Sequence, residues 1–350
     1  MQQTTPNRIS WIDSMRAILI FCIVLGHSVS FIHFSENPLN HYLYSFHLPA
    51  FFFVSGFFAQ NKRTFPAFLL QKVRTLLIPY WVFALLSILV FQVLGGVAEN
   101  ALSVAANGTL FDNLWGMIYA SGTTGLMKWN LPLWYLPCLF AASLLFYLQE
   151  KLLSRTDSHR KKVLLLGGYL VFFLALSALN YYVFSLRALP FGLETAFYLM
   201  PFFILGRAFR LLDETITKSP ALLFLSLLLL VCGGVLAFVN GRVEAVHSLY
   251  SNLAFFYLSA ALSTAGLALF CRFLSCKALS YLGEHTLSVL VLHKFPVVAL
   301  QALFLKLSVT GFLPNVAGGV GIALFSCISS LAVGALFLKF IPWTLGKKKR

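Results

Sequence analysis

Asp13 and Arg16 open the apolar run DSMRAILIFCIVLGH, and His27 follows eleven residues after Arg16. On a helix that separation is about 16 Å of rise and only about 20° of net rotation, so both side chains share one face. Ionisable groups are costly in lipid, and where they occur they face the bundle interior or a wet cavity. An imidazole held there has two uses: it takes a proton from an attacking hydroxyl, or it carries a transferred group itself. Two further histidines repeat the pattern, His47 in YSFHLPAFFFVSG and His293 in TLSVLVLHKF. Counted from the inner ends of their segments they sit at about 20 Å and about 14 Å. All three imidazoles are therefore expected in one depth layer of a hydrocarbon core roughly 30 Å thick.

The elements that must position these residues follow from composition. Of 350 residues, 59% are hydrophobic and 11% charged, more apolar surface than a soluble domain can hide under its polar coat. The expected fold is all-α, a polytopic integral membrane bundle and a single domain over 1–350. About ten runs reach spanning length, with cores near 17–34, 42–59, 76–94, 131–149, 163–183, 194–209, 221–239, 251–270, 285–305 and 317–338. Segment 95–130 reads as a long external loop whose apolar patch LWGMIYA is too short to cross. In the last run, Ala317 and Gly321, four apart with Gly318 and Gly319 between them, predict a face that packs closely within the bundle.

The net charge of +15 does not point to nucleic acid, because the basic residues lie in short connections with no basic helix or patch. Arg8, the group Lys62, Arg63, Lys72 and Arg74, the stretch KLLSRTDSHRKK, Arg207, Arg210, Lys218, Arg272, Lys277 and the KKKR tail fall on alternate connections. The opposite set holds Lys128, Arg187, Arg242 and Lys306. That asymmetry predicts both termini in the cytoplasm and an even number of crossings. The first run lacks a small-residue cleavage site and is expected to be retained. Four of the six cysteines fall in apolar runs, and the spacing of Cys271 and Cys276 fits no common zinc pattern, so neither a disulfide nor a metal is expected.

Taken together these stretches resemble a known family. Asp-x-x-Arg followed by ten residues and His is similar to the opening of the acyltransferase 3 family of integral membrane acyltransferases. FHLPAFFFVSG resembles its second-helix signature, and the Trp134 element LPLWYL and the LSVLVLH element have counterparts as well. The similarity spans most of the chain and is nearest the branch of fucose 4-O-acetylase-like enzymes. It implies transfer of an acyl group from cytoplasmic acyl-CoA to a carbohydrate on the outer side, with Arg16 and His27 as the essential pair. Where many members carry Arg-x-x-Arg, this chain reads Gln71-Lys72-Val73-Arg74, two charges without the bidentate geometry of paired arginines.

The expected site follows from these readings. Arg16, Arg63, Lys72 and Arg74 at the inner rim hold the phosphates of acetyl-CoA, the co-substrate, and the pantetheine arm lies along the Arg16–His27 face. His27 is the general base or the transient acyl carrier, with His47 and Ser55 as candidate oxyanion donors. Asp13 orients Arg16. Trp134, between prolines, offers an aromatic face to a sugar, although an interfacial aromatic belt is the default reading. His293, and Glu36 in HFSENPLNH, complete the acceptor candidates, with His33 and His41 near them. The partners are the lipid bilayer and a carbohydrate acceptor. A glycan exporter is the competing class; it predicts paired broken helices near the midplane.

Overall fold

The computed structural model describes residues 9–29, 38–59, 63–102, 109–307 and 312–348. Arg8, His33, Glu36 and Lys62 lie outside the described residues.

The chain is a bundle of helices: α1 (Ser10–Ser28), α2 (Pro38–Phe57), α3 (Phe65–Lys72), α4 (Ile78–Leu102), α5 (Leu110–Tyr119), α6 (Tyr135–Leu153) and α7 (His159–Leu179) in its first half. The second half holds α8 (Leu193–Leu212), α9 (Pro220–Asn240), α10 (Leu253–Phe270), α11 (Lys277–Glu284), α12 (Thr286–Leu292), α13 (Lys294–Lys306) and α14 (Phe312–Phe340). The one extended pairing among the described residues is the bridge Glu244–Leu249. Eight helices are long and apolar enough to cross a membrane, or nine with α12 and α13 taken as one bent span. The tenth expected crossing is α2, which is not among them; Asn40, His41 and His47 lower its hydropathy. The bundle architecture is thus the expected one.

Helix α1 is the axial element: Met15, Ala17, Leu19 and Val24 have no exposed surface, and the helix packs against α2, α10, α11, α12, α13 and α14. Its Arg16 end is fixed by backbone proximity to α11, where a Cβ on Gly283 would collide with the Asp13 backbone. Its other end is capped from α13, as the Gln301 amide donates to the carbonyls of His27 (2.8 Å) and Ser28 (3.2 Å). Those carbonyls belong to the orphan set of every helix C-terminus.

Helices α2 and α8 touch through reciprocal glycines. Gly56 abuts the Phe203 backbone and Gly206 abuts the Phe53 backbone; a side chain at either position would occupy the other helix. The stripe Tyr42, Ser45, Phe46, Phe53 and Gly56 therefore turns toward α8, α9 and α10, with Tyr42 donating to Leu230 (3.2 Å) and Ser259 to Ser45 (3.4 Å). The opposite stripe of α2, which carries His47, is left for the interior.

Three details depart from expectation. Segment 95–130 holds the end of α4, the helix α5 and two 3-10 turns, Gly122–Thr124 and Lys128–Trp134. Helix α5 begins at a capping box in which Thr109 and Asp112 satisfy each other's backbone donors, and hydrogen bonds from Thr109 hold the Asp112 carboxyl below the ordinary range. Its Phe111, Trp115 and Ile118 are exposed, the habit of an interfacial helix. The close-packing face of α14 also differs: Gly318 meets Phe304, Gly319 meets Val29 and Gly334 meets Ser288, whereas Ala317 is exposed and Gly321 faces open space. A spacing of four was the wrong guide because the contacts come from different partner helices. Finally, Lys72 ends α3 and Arg74 lies in the π-helical turn Val73–Leu77, where a loop was expected.

Substituting Gly56 by Leu is expected to cost at least about 3 kcal/mol through overpacking against backbone, whereas Gly321→Ala stays within about 0.5 kcal/mol. Thermal unfolding of the detergent-purified protein measures both.

Candidate active site

The first group of residues surrounds a cavity of about 250 Å³ at the Arg16 end. From α1 it is lined by Arg16, Ile20 and Ile23, from α2 by Phe51, Val54 and Ser55, from α6 by Tyr135 and Leu139, and from α12 by Thr286, Leu287 and Leu290. These are successive turns of one face on each helix, so the cavity runs along the helix axes. Arg16 stands at its mouth, 3.8 Å from Asp13 and 4.9 Å above the Phe58 ring. The pairing with Asp13 and the aromatic plane beneath it limit the rotamers of the guanidinium. Inside, Ser55 donates to the Phe51 carbonyl (2.9 Å), and Tyr135 also lines the cavity.

The second group is the histidine layer. His27 and His293 have ring centroids 5.5 Å apart. Tyr44 joins the remaining member, lying edge-on to His27 (6.4 Å) and to His47 (5.2 Å). All three imidazoles thus occupy one cluster, within one depth layer. The cluster sits one helical turn beyond the cavity on every element: Ile23 precedes His27 by four residues, Leu290 precedes His293 by three, and Phe51 follows His47 by four.

Hydrogen bonds orient two of the rings. His47 directs Nδ1 at the Leu43 carbonyl, and His293 directs Nδ1 at the carbonyls of Val289 (3.0 Å) and Leu290 (2.9 Å). A carbonyl only accepts, so Nδ1 carries the hydrogen and the neutral ring presents its lone pair on Nε2. The Nε2 of His293 is buried and has no hydrogen-bond partner among the described residues. A polar atom left in that state is costly unless something binds it.

His293 owes its place to a broken helix. Helices α12 and α13 meet at 50°, and Pro296 explains the break: it has no N–H for the Leu292 carbonyl and its ring crowds that carbonyl. Asn130 mends part of the gap by donating to the carbonyl of Val291 (3.2 Å) and to Ser87 (3.0 Å). Sequence reasoning singled out neither Asn130, Gln301 nor Tyr44. The bend had a signal in the KFP stretch; the partners of the two amides had none, because they lie far along the chain.

The basic residues expected around one phosphate site are divided. Arg16 shares its cavity mouth with Thr75, Leu76 and Glu284, so the neighbour of Arg74 reaches it while Arg74 itself is exposed. Lys72 lies over the Phe68 ring (5.5 Å) and lines a separate cavity of about 110 Å³ with Tyr147 and Glu150. Phe58 borders both the second cavity and Arg16. Helical backbone is the cause: side chains two residues apart on a helix do not face the same way, so Lys72 and Arg74 point to different sides. Arg63 is exposed, and its backbone carbonyl accepts from Tyr147 (3.3 Å). Trp134 is buried in the core, with Gly122 packed against it. The residue after it, Tyr135, is the one that faces the cavity.

A family model described as an acyltransferase domain, acyltransferase 3, matches residues 9–339. The chain belongs to that family. The match takes in both the cavity and the histidine layer and makes the protein a membrane acyltransferase. No curated protein and no solved structure matches the chain. Among the described residues there is no group of three metal-ligating side chains.

Replacing Asn130 by Leu is expected to cost about 1–3 kcal/mol, because the Val291 carbonyl loses its donor inside the bundle, and to lower acyl transfer by displacing His293. Melting temperature and transfer rate of the purified variant check the two effects.

Proposed function

We propose that the protein is an O-acyltransferase that moves acetyl from cytoplasmic acetyl-CoA to a hydroxyl of a cell-envelope or exported carbohydrate. The observation that carries this reading is the alignment of the Arg16 cavity with the histidine cluster one turn beyond it. A donor entering at Arg16 meets a cationic anchor first, then apolar walls suited to an extended thioester arm, then imidazoles. Arg16 holds a phosphate at the mouth, with Thr75 beside it, while Lys72 and Arg74 attract the anion from further out. Glu284 at the same mouth opposes phosphate binding, which places the polyphosphate on the Arg16 side of the opening.

Chemistry then falls to the histidine layer. The acceptor hydroxyl attacks the thioester carbonyl as an imidazole nitrogen of His27 takes its proton, and the thiolate leaves toward the Arg16 side. The alternative order, acetyl carried briefly on the imidazole, uses the same residues. His47 and His293 flank the reacting centre; a ring with hydrogen on Nδ1 offers Nε2 as a second acceptor for the acceptor's protons. In this reading both termini are cytoplasmic, as the Lys/Arg asymmetry expects, and the membrane is a bacterial inner membrane. Family membership and the presence of one bent span among the described residues, where an exporter predicts a pair, favour transfer over export.

His27→Ala is expected to lower transfer of label from radioactive acetyl-CoA to glycan by about 10²–10⁴-fold, in a protein that still inserts and purifies. Transfer equal to the wild type contradicts the assignment. Arg16→Gln is expected to raise the KM for acetyl-CoA at least about tenfold, the worth of a charge-assisted contact, with a smaller effect on kcat; initial rates over a donor series decide it.

A further inference from the structure

The interior stripe of α2 extends beyond the histidines. Asn40, Tyr44, His47, Phe51 and Ser55 recur at intervals of four, three, four and four residues, which keeps them on one face. That face lies opposite Tyr42, Ser45, Phe46 and Gly56, the stripe that packs on α8, α9 and α10. Asn40 therefore continues the line of the site on the side away from Arg16, one turn past Tyr44 and two turns past His47.

Asn40 has no exposed surface, yet neither its Oδ1 nor its Nδ2 has a hydrogen-bond partner among the described residues. A carboxamide carries two donors and one acceptor oxygen, and leaving all of them unmet in a membrane protein's interior is a standing penalty. His47 and Asn40 are separated by about 10 Å along the axis, with Tyr44 on the same stripe between them.

We infer that Asn40 is an acceptor-binding residue, reading a hydroxyl pair on the sugar adjacent to the hydroxyl that is acylated at the histidine layer. The amide N–H donates to one hydroxyl oxygen and the amide oxygen accepts from its neighbour, the bidentate match that a vicinal diol offers and a lone alcohol does not. This inference rests on the acyltransferase reading above and adds the acceptor's polyol character and the residue that selects it.

The test uses purified full-length protein, acetyl-CoA and a panel of methyl hexopyranosides with their monodeoxy analogues, comparing the wild type with Asn40→Leu and Asn40→Gln. Asn40→Leu is expected to raise the KM for the accepted glycoside at least tenfold, while the KM for acetyl-CoA holds within twofold and the melting temperature stays level or rises. Asn40→Gln falls between. The wild type is expected to prefer the glycoside over the analogue lacking one hydroxyl of the pair, and Asn40→Leu to lose that preference. An unchanged glycoside KM in Asn40→Leu, with wild-type transfer intact, overturns this assignment alone and leaves the amide to water. A fall in melting temperature with both KM values moving together makes Asn40 structural and also overturns it. A wild type that acetylates no glycoside of the panel overturns the carbohydrate reading and this assignment together.

Discussion

Hydrocarbon offers no hydrogen bonds, so every polar group at membrane depth has to find its partner in protein or in something the protein binds. That constraint organises this bundle. It encloses α1, whose Arg16 and Asp13 pair within the fold, and it demands repair wherever a helix is interrupted. Beside the interruption at Pro296, Asn130 donates to the Val291 carbonyl, and at the end of α1 Gln301 covers two carbonyls. Both amides come from elements remote in sequence, so the pieces that hold the histidines are tied to one another through backbone and not through the imidazoles.

The constraint is not met everywhere, and two of the residues that leave it unmet lie on the site. His293 Nε2 and the whole Asn40 amide are buried without partners among the described residues. The first is on the break between α12 and α13; the second is on the α2 stripe that carries His47. Between them and Arg16 the helices α1, α2 and α12 each present the same succession, from a cavity wall to an imidazole one turn further on. Three helices in register make a path with a direction, charged at one end and rich in hydrogen-bonding groups at the other. That polarity matches a reaction whose donor is anionic and whose acceptor is a polyol.

Much of this was legible in the sequence because helix geometry is rigid. A rise of 1.5 Å per residue is enough to place His27, His47 and His293 in one layer without knowing which helices are neighbours, and the rings lie together in the structure. What the ruler misses is rotation and break. Lys72 and Arg74 stand two residues apart on continuous helical backbone, which turns them to different sides, so a basic cluster in sequence is not one in space. Trp134 misled for a similar reason: the chain passes from a 3-10 turn into α6 at that point, and the cavity receives Tyr135 instead. Asn40 and Asn130 were silent, since an asparagine near a helix end or in a connection reads as ordinary turn chemistry until its burial is known. The expected glycine face on α14 failed because spacing alone does not say which helix approaches.

The proposed mechanism requires the donor's thioester arm to occupy the cavity between Arg16 and Ile23 and to deliver its acyl carbon to His27. The most direct measurement is an experimental structure of the protein in lipid nanodiscs with a non-hydrolysable thioether analogue of acetyl-CoA. The expected result is phosphate density at Arg16, the arm between Ile20 and Phe51, and the carbonyl within about 3.5 Å of a His27 ring nitrogen, a near-attack distance. Density for the arm in the smaller cavity beside Lys72 and Glu150, with the Arg16 cavity empty, would contradict it.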